Sequence, residues 1–393
     1  MRIVFIGYAV GSETVERLIG ASVAGNKMQL SVLKELSKRD DVDLRIITVY
    51  PTAAYPQGKL FYTKERTMLF EKQDTIRVGF FNLPIIKQFM QAVGVYRNAR
   101  TLVDKNTTIF TFNSYPPVGL PAVWLKKRFG CKIGSIMADL PIDDNKTGRN
   151  WLSKLLIESF DSITKKTIKL YDYHVTLNKN AVDKYANGKP YIVVEGGISS
   201  EDISELAHNS LNQRYVVYGG ALTEYSGVMN LLEAMKLIED TDVILKVYGT
   251  GYLEKRVKQY ASELPNVLYC GKISNEQMME EERNAYLLVN PRIINDPIAM
   301  VTFPSKIFEY MLSGTPVLST KLNGLTEEFI DNMYIVENDT SLALSKMLNQ
   351  IMKLPKEVVQ KKGHDARNFV IKEKKWEKQC DRIINFIDEV MKQ

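Results

Sequence analysis

Short apolar runs alternate with helical patterns along most of the chain, and this alternation is the feature that most limits the available folds. In the first half the predicted elements are strands at 2–8, 43–50, 75–81, 107–113, 132–138, 173–178 and 191–194, and helices at 26–38, 84–102, 118–129, 151–170 and 180–186. A helix between two strands crosses back over the sheet, which leaves the strands side by side and parallel. The first half therefore predicts a doubly wound parallel α/β sheet.

The alternation breaks near 195–212 and then starts again. That stretch combines two glycines with small polar residues and weak periodicity, which is typical of a domain boundary. A second series follows, with strands at 214–218, 243–248, 267–270 and 287–289 and helices at 227–238, 275–286 and from about 305. A chain of 393 residues is long enough for two domains. We predict Rossmann-like domains at 1–197 and 198–372 with a cleft between them, and a helix at 373–393 that packs back on the first.

Composition and charge limit the classes of function. No run approaches about 18 apolar residues, so no membrane span is expected, and the first residues read as a strand rather than a signal peptide. Three cysteines and three histidines show no metal-ligand spacing, so neither a metal nor another cofactor is expected. These observations predict a cytoplasmic protein. Residues 1–200 carry 29 Lys/Arg against 18 Asp/Glu, a net charge of +11 that favours an anionic partner such as a membrane surface.

Glycines follow three successive strands of the second series. They are Gly219 with Gly220, then Gly249, then Gly271. In open α/β sheets, ligands bind at the carboxyl ends of the strands, so these turns indicate a binding edge, although each is also compatible with an ordinary tight turn. The first half lacks G-x-G-x-x-G and has Tyr50 and Pro51 where a dinucleotide site needs an acid, which disfavours NAD.

A short helix is predicted from Ser305, which is a candidate N-cap, to the stop at Gly314. Lys306 in its first turn opposes the helix dipole unless an anion binds there, and Glu309 one turn on can accept hydrogen bonds from two neighbouring hydroxyls. A nucleotide offers both groups, as pyrophosphate and ribose diol. The alternative is a solvated Lys306–Glu309 ion pair, contributing about 0.3 kcal/mol.

The two β/α series, the glycine turns and the segment FPSKIFEYMLSGTPVLST together resemble the GT-B glycosyltransferases. The resemblance is closest to the retaining nucleotide-sugar family numbered four, of the bacterial surface polysaccharide type. It implies that Glu309 binds the ribose, that Gly219 and Gly220 face the diphosphate, and that the segment 295–305 holds the sugar and phosphates. It also implies a nucleoside diphosphate sugar donor, with UDP the favoured base, and metal-independent transfer of a hexose to a glycan or lipid-linked acceptor.

In its second half the sequence departs from the family pattern at three places. Val301 stands where a second glutamate is usual, and Ala221 and Ser226 stand where many members have an arginine and a lysine. Lys306 and Arg292 are the nearest substitutes for that cationic pair, although Arg292 could instead bridge to Asp296.

On the acceptor side the resemblance directs attention to Gly25, Asn26 and Asp139. Asp139 stands at the strand end where the family often has a histidine, although it could simply cap the following turn. Because no carboxylate is placed convincingly for double displacement, same-face attack is preferred, with Lys306, Arg292 and the backbone around Gly220 stabilising the leaving diphosphate. A nucleotide-sugar epimerase and a non-catalytic nucleotide-sugar-binding protein are the alternatives.

The helix predicted at 151–170 carries an apolar stripe beside lysines, with Trp151 at its start. It predicts either a helix that covers the first sheet or a surface that meets an anionic membrane. The second interpretation suits a lipid-linked acceptor and a peripheral protein on the inner face of the cytoplasmic membrane. No aromatic–basic cluster or known module indicates nucleic-acid binding.

Overall fold

A computed structural model describes residues 1–70, 73–141, 151–186, 188–203, 214–240 and 242–392, with the side chains of 151–153 left out. The chain divides into two compact units. The first unit comprises Met1–Gly196 and Trp376–Gln393, and the second comprises Gly197–Lys375. Among the described helices, none is both long enough and apolar enough to cross a membrane.

The predicted strands and helices occur in the predicted order, but the strand predicted at 75–81 is divided between two sheets. Further strands at 61–62, 65–70 and 334–336 and helices at 12–17, 327–330, 341–352 and 356–373 were not predicted. The strands are β1 Arg2–Gly7, β2 Asp43–Thr48, β3 Phe61–Tyr62, β4 Glu65–Phe70, β5 Gln73–Arg77, β6 Phe80–Phe81, β7 Thr107–Phe112, β8 Lys132–Met137, β9 Tyr173–Thr176, β10 Tyr191–Val193, β11 Arg214–Gly219, β12 Val243–Tyr248, β13 Val267–Gly271, β14 Leu287–Asn290, β15 Val317–Thr320 and β16 Tyr334–Val336. The helices are α1 Ser12–Arg17, α2 Val23–Ser37, α3 Ile86–Ala99, α4 Pro116–Phe129, α5 Trp151–Ile168, α6 Lys179–Tyr185, α7 Val228–Met235, α8 Glu254–Glu263, α9 Asn275–Asn284, α10 Lys306–Ser313, α11 Glu327–Ile330, α12 Ser341–Met352, α13 Lys356–Glu373 and α14 Trp376–Lys392.

The first unit contains an eight-stranded sheet in the order β10-β9-β8-β7-β1-β2-β5-β4, parallel except where β4 pairs with β5. Both faces of the sheet are buried. On β1, Ile3 and Phe5 pack with α2 and α14, whereas Val4 and Ile6 pack on the opposite face with α3 and α4. Because successive strand residues point to opposite faces, a strand covered by helices on both sides reads as a continuous apolar run.

The apolar stripe of α14 lies in the core of the first unit. Trp376, Ile383 and Ile387 are buried in the same cluster as Phe5 and Leu36. The last helix of the chain therefore covers the sheet built from its first residues.

The second unit contains a six-stranded, fully parallel sheet in the order β13-β12-β11-β14-β15-β16. The chain runs outward from β11 to β13 and then returns to β14 on the other side of β11. This change of direction is a topological switch point, and the crevice beyond the strand ends there is the usual ligand position in such sheets. The predicted fold class, with two Rossmann-like parallel sheets, is confirmed.

Two local predictions need correction. The helix predicted from Asn26 begins at Val23, because the Ser22 hydroxyl accepts a hydrogen bond from the Gly25 N–H at 3.0 Å, which places Gly25 and Asn26 in the first turn of α2. Ser305 stands before α10 as predicted, but its side chain makes no capping hydrogen bond. Its backbone is already helical, since the Ile307 N–H bonds back to the Pro304 carbonyl at 2.9 Å and tightens this turn.

Candidate functional site

The glycine turns of the second unit meet at one edge of its sheet. The Gly220 N–H donates to the Tyr248 carbonyl at 3.0 Å, and the Gly249 N–H donates to the Gly271 carbonyl at 2.8 Å. These hydrogen bonds hold the carboxyl ends of β11, β12 and β13 side by side. Gly249 has a φ of 130°, and a Cβ added there would lie 1.8 Å from the Gly220 carbonyl oxygen. Only glycine fits at that position.

Helix α10 is fastened to this edge by Tyr310. The Tyr310 hydroxyl accepts a hydrogen bond from the Gly219 N–H at 3.0 Å and donates one to the Gly219 carbonyl at 3.1 Å. Tyr310 is buried, and its burial raises the pKa of the phenol well above the ordinary value, so it stays protonated. One side chain therefore sets the position of α10 relative to the central strand.

The N–H groups of Gly219 and Gly220 are both used in these internal hydrogen bonds. The Ala221 N–H, by contrast, has no hydrogen-bond partner among the described residues, and Ala221 is exposed. A backbone donor for an anion at this turn is therefore Ala221 rather than Gly220.

Lys306 lies between two carboxylates. Its Nζ is 3.3 Å from Glu309 Oε2 and 3.6 Å from Glu282 Oε1, and Glu282 belongs to the neighbouring helix α9. The Glu309 and Lys306 side chains are 43% and 34% exposed, whereas the Glu282 side chain is only 2% exposed. The predicted Lys306–Glu309 ion pair is thus present, and a buried third member joins it.

Glu282 is the residue that the sequence analysis missed. Burial raises the pKa of its carboxyl from 4.5 to about 7, and the nearby Lys306 only partly offsets this effect. Its Oε1 makes no hydrogen bond to any described residue. The available signal was its spacing, because Glu282 falls four residues after buried Met278 and so shares the inward face of α9. Such a carboxyl is poised to hold or release a proton beside Lys306.

Arg292 lies on the loop after β14. Its guanidinium carbon is 5.8 Å from the centre of the Tyr225 ring. Its guanidinium forms no ion pair with Asp296 or with any other residue that the structure describes, and desolvation lowers the pKa of Arg292 from its ordinary value. Arg292 is thus a largely desolvated cation with no carboxylate partner among the described residues, which suits it to an anionic ligand.

The three positions of the second unit that depart from the family pattern have different surroundings. Val301 is 5% exposed and packs in the core, so a carboxylate there would be desolvated. Ser226 is buried, and its hydroxyl donates to the Thr223 carbonyl at 2.6 Å. Ala221 is exposed, but its carbonyl accepts a hydrogen bond from the Tyr218 hydroxyl at 2.8 Å.

The first unit contains a cavity of about 430 Å³ whose lining includes Gly25, Asn26 and Asp139. Asn26 is committed to the fold, because its amide donates to the Val10 carbonyl at 3.0 Å and accepts from the Val10 N–H at 2.9 Å. Gly25 lies close to Phe112, since a Cβ added there would be 3.5 Å from the ring. Of the three, only Asp139 presents a side chain with unused hydrogen-bonding capacity.

Asn113, rather than Asp139, caps the end of β8. Its φ is 61°, and its Oδ1 accepts hydrogen bonds from the N–H groups of Ala138 and Asp139, both at 2.9 Å. Asparagine tolerates this left-handed conformation better than most residues. Asp139 makes one long contact, at 3.4 Å, with the Asn113 amide nitrogen, and desolvation raises the pKa of its carboxyl. The proposed cap function of Asp139 therefore falls to Asn113.

Helix α3 contributes polar side chains to the same cavity. Gln91 is 2% exposed and lines the cavity, and its Nε2 has no hydrogen-bond partner among the described residues; the same holds for Oε1 of Gln88. Lys87 also lines it, donates to the Thr52 carbonyl, and has its pKa lowered to about 8 by burial. Amides and a lysine in this arrangement can bind the hydroxyl groups of a polar ligand.

The apolar stripe of the helix predicted at 151–170 is only partly covered: its members Leu156, Phe160 and Ile163 are half-buried, whereas Leu170 is 47% exposed and the Leu152 side chain lies outside the described residues. Phe160 and Ile157 line the cavity, and Thr164 and Ile168 are buried, whereas Leu155 is exposed. Trp151, which was considered as a membrane contact, has a side chain outside the described part of the structure. Near the site and elsewhere in the described residues, no group of three or more His, Cys, Asp or Glu is placed to hold a metal ion.

Residues 199–369 match the profile of a protein family described as glycosyl transferases group 1. The match covers a little under half of the chain and corresponds closely to the second unit. A comparison with curated proteins gives no significant match.

Solved structures resemble the whole chain. Sucrose-phosphate synthase from Thermosynechococcus elongatus matches with a TM-score of 0.68 and 15% identity over 99% of both chains. Anabaena HepE in complex with UDP matches with a TM-score of 0.64 and 14% identity over 99% of this chain and 100% of HepE. The lipopolysaccharide outer core galactosyltransferase WaaB, in its apo form, matches with a TM-score of 0.63 and 15% identity over 99% of both chains. At these identities the likeness concerns the fold, and it agrees with the GT-B architecture expected from the sequence.

Proposed function

We propose that this chain is a retaining glycosyltransferase that moves a hexose from a UDP-sugar to a hydroxyl of a glycan or lipid-linked acceptor. The observation that carries the proposal is the Glu282–Lys306–Glu309 cluster on α9 and α10, beside the glycine edge of the second sheet. The group 1 match over this unit supports it. The UDP complex of HepE supports the choice of base, and WaaB supports an acceptor in surface polysaccharide synthesis.

The donor binds with its ribose at Glu309 and its diphosphate near Lys306, Arg292 and the Ala221 N–H. Glu309 is the more exposed of the two carboxylates and accepts hydrogen bonds from the ribose diol. Lys306 then exchanges part of its ion pairing with Glu309 for the diphosphate. Cations and N–H donors held in place stabilise the charge that builds on the leaving phosphate, which is the main electrostatic contribution to catalysis.

The acceptor hydroxyl attacks the anomeric carbon on the face that the diphosphate leaves, which retains the configuration. Its proton goes to the departing phosphate oxygen, so no protein nucleophile is required. Asp139 orients the acceptor in the first unit's cavity, and Gln91 and Gln88 bind its hydroxyls. No metal takes part in this scheme, and the enzyme works in the cytoplasm at the inner face of the membrane.

A thermal-shift panel with UDP, GDP, ADP and CMP and their sugars, with EDTA present, tests the donor class. A ligand at about 100 times its Kd stabilises the protein by about 2.7 kcal/mol. A shift with UDP compounds alone is expected. A shift that requires Mg²⁺ contradicts metal independence, and the absence of any shift contradicts nucleotide binding.

Two variants test the residues. Glu309→Ala should weaken UDP binding about 10- to 100-fold through the lost ribose hydrogen bonds to a charged acceptor. Lys306→Ala should lower kcat more than it weakens donor binding. The matched control is Glu280→Ala, which removes an exposed carboxylate from α9. Unchanged affinity in Glu309→Ala refutes the ribose assignment.

Product analysis separates the alternatives. With UDP-glucose alone, slow release of α-glucose and UDP, followed by NMR, indicates a retaining transferase that uses water as acceptor. Conversion to an epimeric UDP-sugar indicates an epimerase. Binding without any turnover indicates a non-catalytic protein.

A further inference from the structure

Six large apolar side chains are exposed together on the first unit, at the N-terminal end of helix α3. We call these residues the apolar patch: Leu60, Phe61, Phe81, Ile85, Ile86 and Phe89. Phe89 is 63% exposed and Phe61 is 59% exposed. Exposed apolar residues are normal when scattered, but a contiguous group marks an interaction surface.

The hydrogen bonds of the backbone hold the patch together. Strands β3 and β6 pair antiparallel, with Phe61 opposite Phe81 and their rings 6.4 Å apart. The Asn82 N–H donates to the Leu60 carbonyl at 2.8 Å, and α3 begins four residues later and packs on β6. The patch is therefore a built surface and not a set of separate loop tips.

Ile85 shows how the chain holds one of these side chains outward. Its φ is 70°, a conformation that a β-branched residue rarely adopts, and its side chain is exposed rather than buried. A strained isoleucine that is 59% exposed suits a surface that gains from apolar contact.

The two segments that build the apolar patch carry charges of one sign. These segments, 52–64 and 78–91, contain Lys59, Lys64 and Lys87 and no Asp or Glu. Lys59 and Lys64 are exposed, and neither forms an ion pair with another described residue. A two-fold dimer through this surface would bring the lysines of both copies together, which disfavours a second copy as the occupant.

We infer that the apolar patch docks the first unit on an anionic membrane surface, with its aromatic and aliphatic side chains in the headgroup boundary and Lys59 and Lys64 on anionic lipid. Interfacial surfaces combine these two features, and each lysine near an anionic bilayer adds about fivefold to binding. The first unit therefore meets the membrane through the apolar patch and not through α5.

The position of the patch gives the contact a role. Lys87, Gln88 and Gln91 of α3 line the cavity, whereas Ile85, Ile86 and Phe89 at the same helix end are exposed beside it. A bilayer that covers the patch therefore lies next to the cavity that we assign to the acceptor. A membrane contact at this place favours a lipid-linked acceptor over a free glycan. This role of the apolar patch rests on the proposed function.

Vesicle co-sedimentation tests the inference without donor or acceptor. The full chain is mixed with vesicles of phosphatidylcholine alone, or with vesicles in which about one lipid in three is phosphatidylglycerol. The phosphatidylglycerol vesicles are the probe, and this fraction gives them a strongly negative surface. Binding is expected on the anionic vesicles and should be at least tenfold weaker on phosphatidylcholine. Light scattering on the same protein without vesicles reports the oligomeric state.

Matched variants locate the surface. Affinity for the anionic vesicles should fall at least tenfold in the triple variant Phe81→Ser/Ile86→Ser/Phe89→Ser. It should fall about 30-fold in the double variant Lys59→Gln/Lys64→Gln. The controls are Leu237→Ser/Leu342→Ser/Val358→Ser and Lys255→Gln/Lys272→Gln, which change exposed residues of the second unit. Ile85→Gly should weaken binding without lowering Tm, because glycine removes the strain; this variant separates binding from misfolding.

Several results overturn the inference. One is that the wild-type protein does not bind the vesicles, and another is that the patch variants bind as well as the wild type. A third is that only Leu155→Ser, on α5, loses binding. The fourth is that the protein is a dimer and that the patch variants dissociate it. UDP-sugar hydrolysis in the absence of vesicles is measured in parallel. Lost vesicle binding with hydrolysis intact rejects only the docking surface, whereas vesicle binding without hydrolysis rejects the proposed function and leaves the surface standing.

Discussion

Replacing Glu282 by glutamine should remove a pH dependence from the stability of this protein. The carboxyl is 2% exposed, and burial raises its pKa from 4.5 to about 7. Between these two values the folded protein keeps a proton that the unfolded chain has released. The folded state therefore binds more protons, and the free energy of unfolding falls as the pH rises from 4.5 to 7 and then levels off.

The size of this effect follows from the shift. One pKa unit corresponds to about 1.4 kcal/mol, so the ionised carboxyl costs the folded state about 3 kcal/mol above pH 7. Between pH 5 and pH 8 the change amounts to about 2.5 kcal/mol. For a unit of this size that corresponds to roughly 5–10 °C in Tm. Glutamine keeps the shape of the Glu282 side chain but cannot ionise. The free energy of unfolding of Glu282→Gln should therefore lack this decrease with pH.

Thermal unfolding of wild type and Glu282→Gln, followed by circular dichroism from pH 5 to pH 8.5, measures the difference directly. The Tm of the variant minus that of the wild type should rise steadily across pH 5–7 and then stay constant. Glu280→Gln, on the exposed face of α9, should stay within about 0.5 kcal/mol of wild type throughout. If the wild-type and Glu282→Gln curves run parallel over the whole range, Glu282 is already ionised in the folded protein and the argument from burial is wrong.

Two further substitutions test the contacts that define each site. Tyr310→Phe leaves the buried N–H and carbonyl of Gly219 without their partner, and urea unfolding should show a loss of about 1–3 kcal/mol; no loss would mean that Tyr310 does not fasten α10. Asp139→Asn keeps the shape of the cavity wall and should lower transfer at least tenfold without changing UDP affinity. Equal transfer by this variant and wild type would remove Asp139 from the acceptor site.

Much of the fold could be predicted from short sequence patterns, because adjacent backbone or an adjacent strand leaves few residue types possible at these positions. The continuous apolar run of β1 is what a strand needs when helices cover both faces, and Gly314 ends α10 with a φ of 79°. The glycines after β11, β12 and β13 follow from close approach, since Gly249 leaves no room for a Cβ. In each case the constraint comes from the residue's own backbone or from a strand that the topology must place beside it.

The site residues depended on contacts between segments far apart in sequence. Glu282 and Lys306 are 24 positions apart, and only the packing of α9 against α10 makes one carboxyl buried and brings it to 3.6 Å from the lysine. Asn113 replaced Asp139 as the cap because β7 and β8 are neighbours in the sheet.

The sequence by itself determined most strands and helices of the two parallel sheets and the glycine edge, because these depend on periodicity and on backbone sterics within a few residues. The tertiary structure decided which polar groups lose water, which charges meet and which apolar side chains stay exposed. Phe81 and Phe80 are adjacent in sequence, yet Phe81 is exposed and Phe80 is buried. That difference arises from what covers each face of β6, and desolvation of this kind depends on the whole surrounding structure.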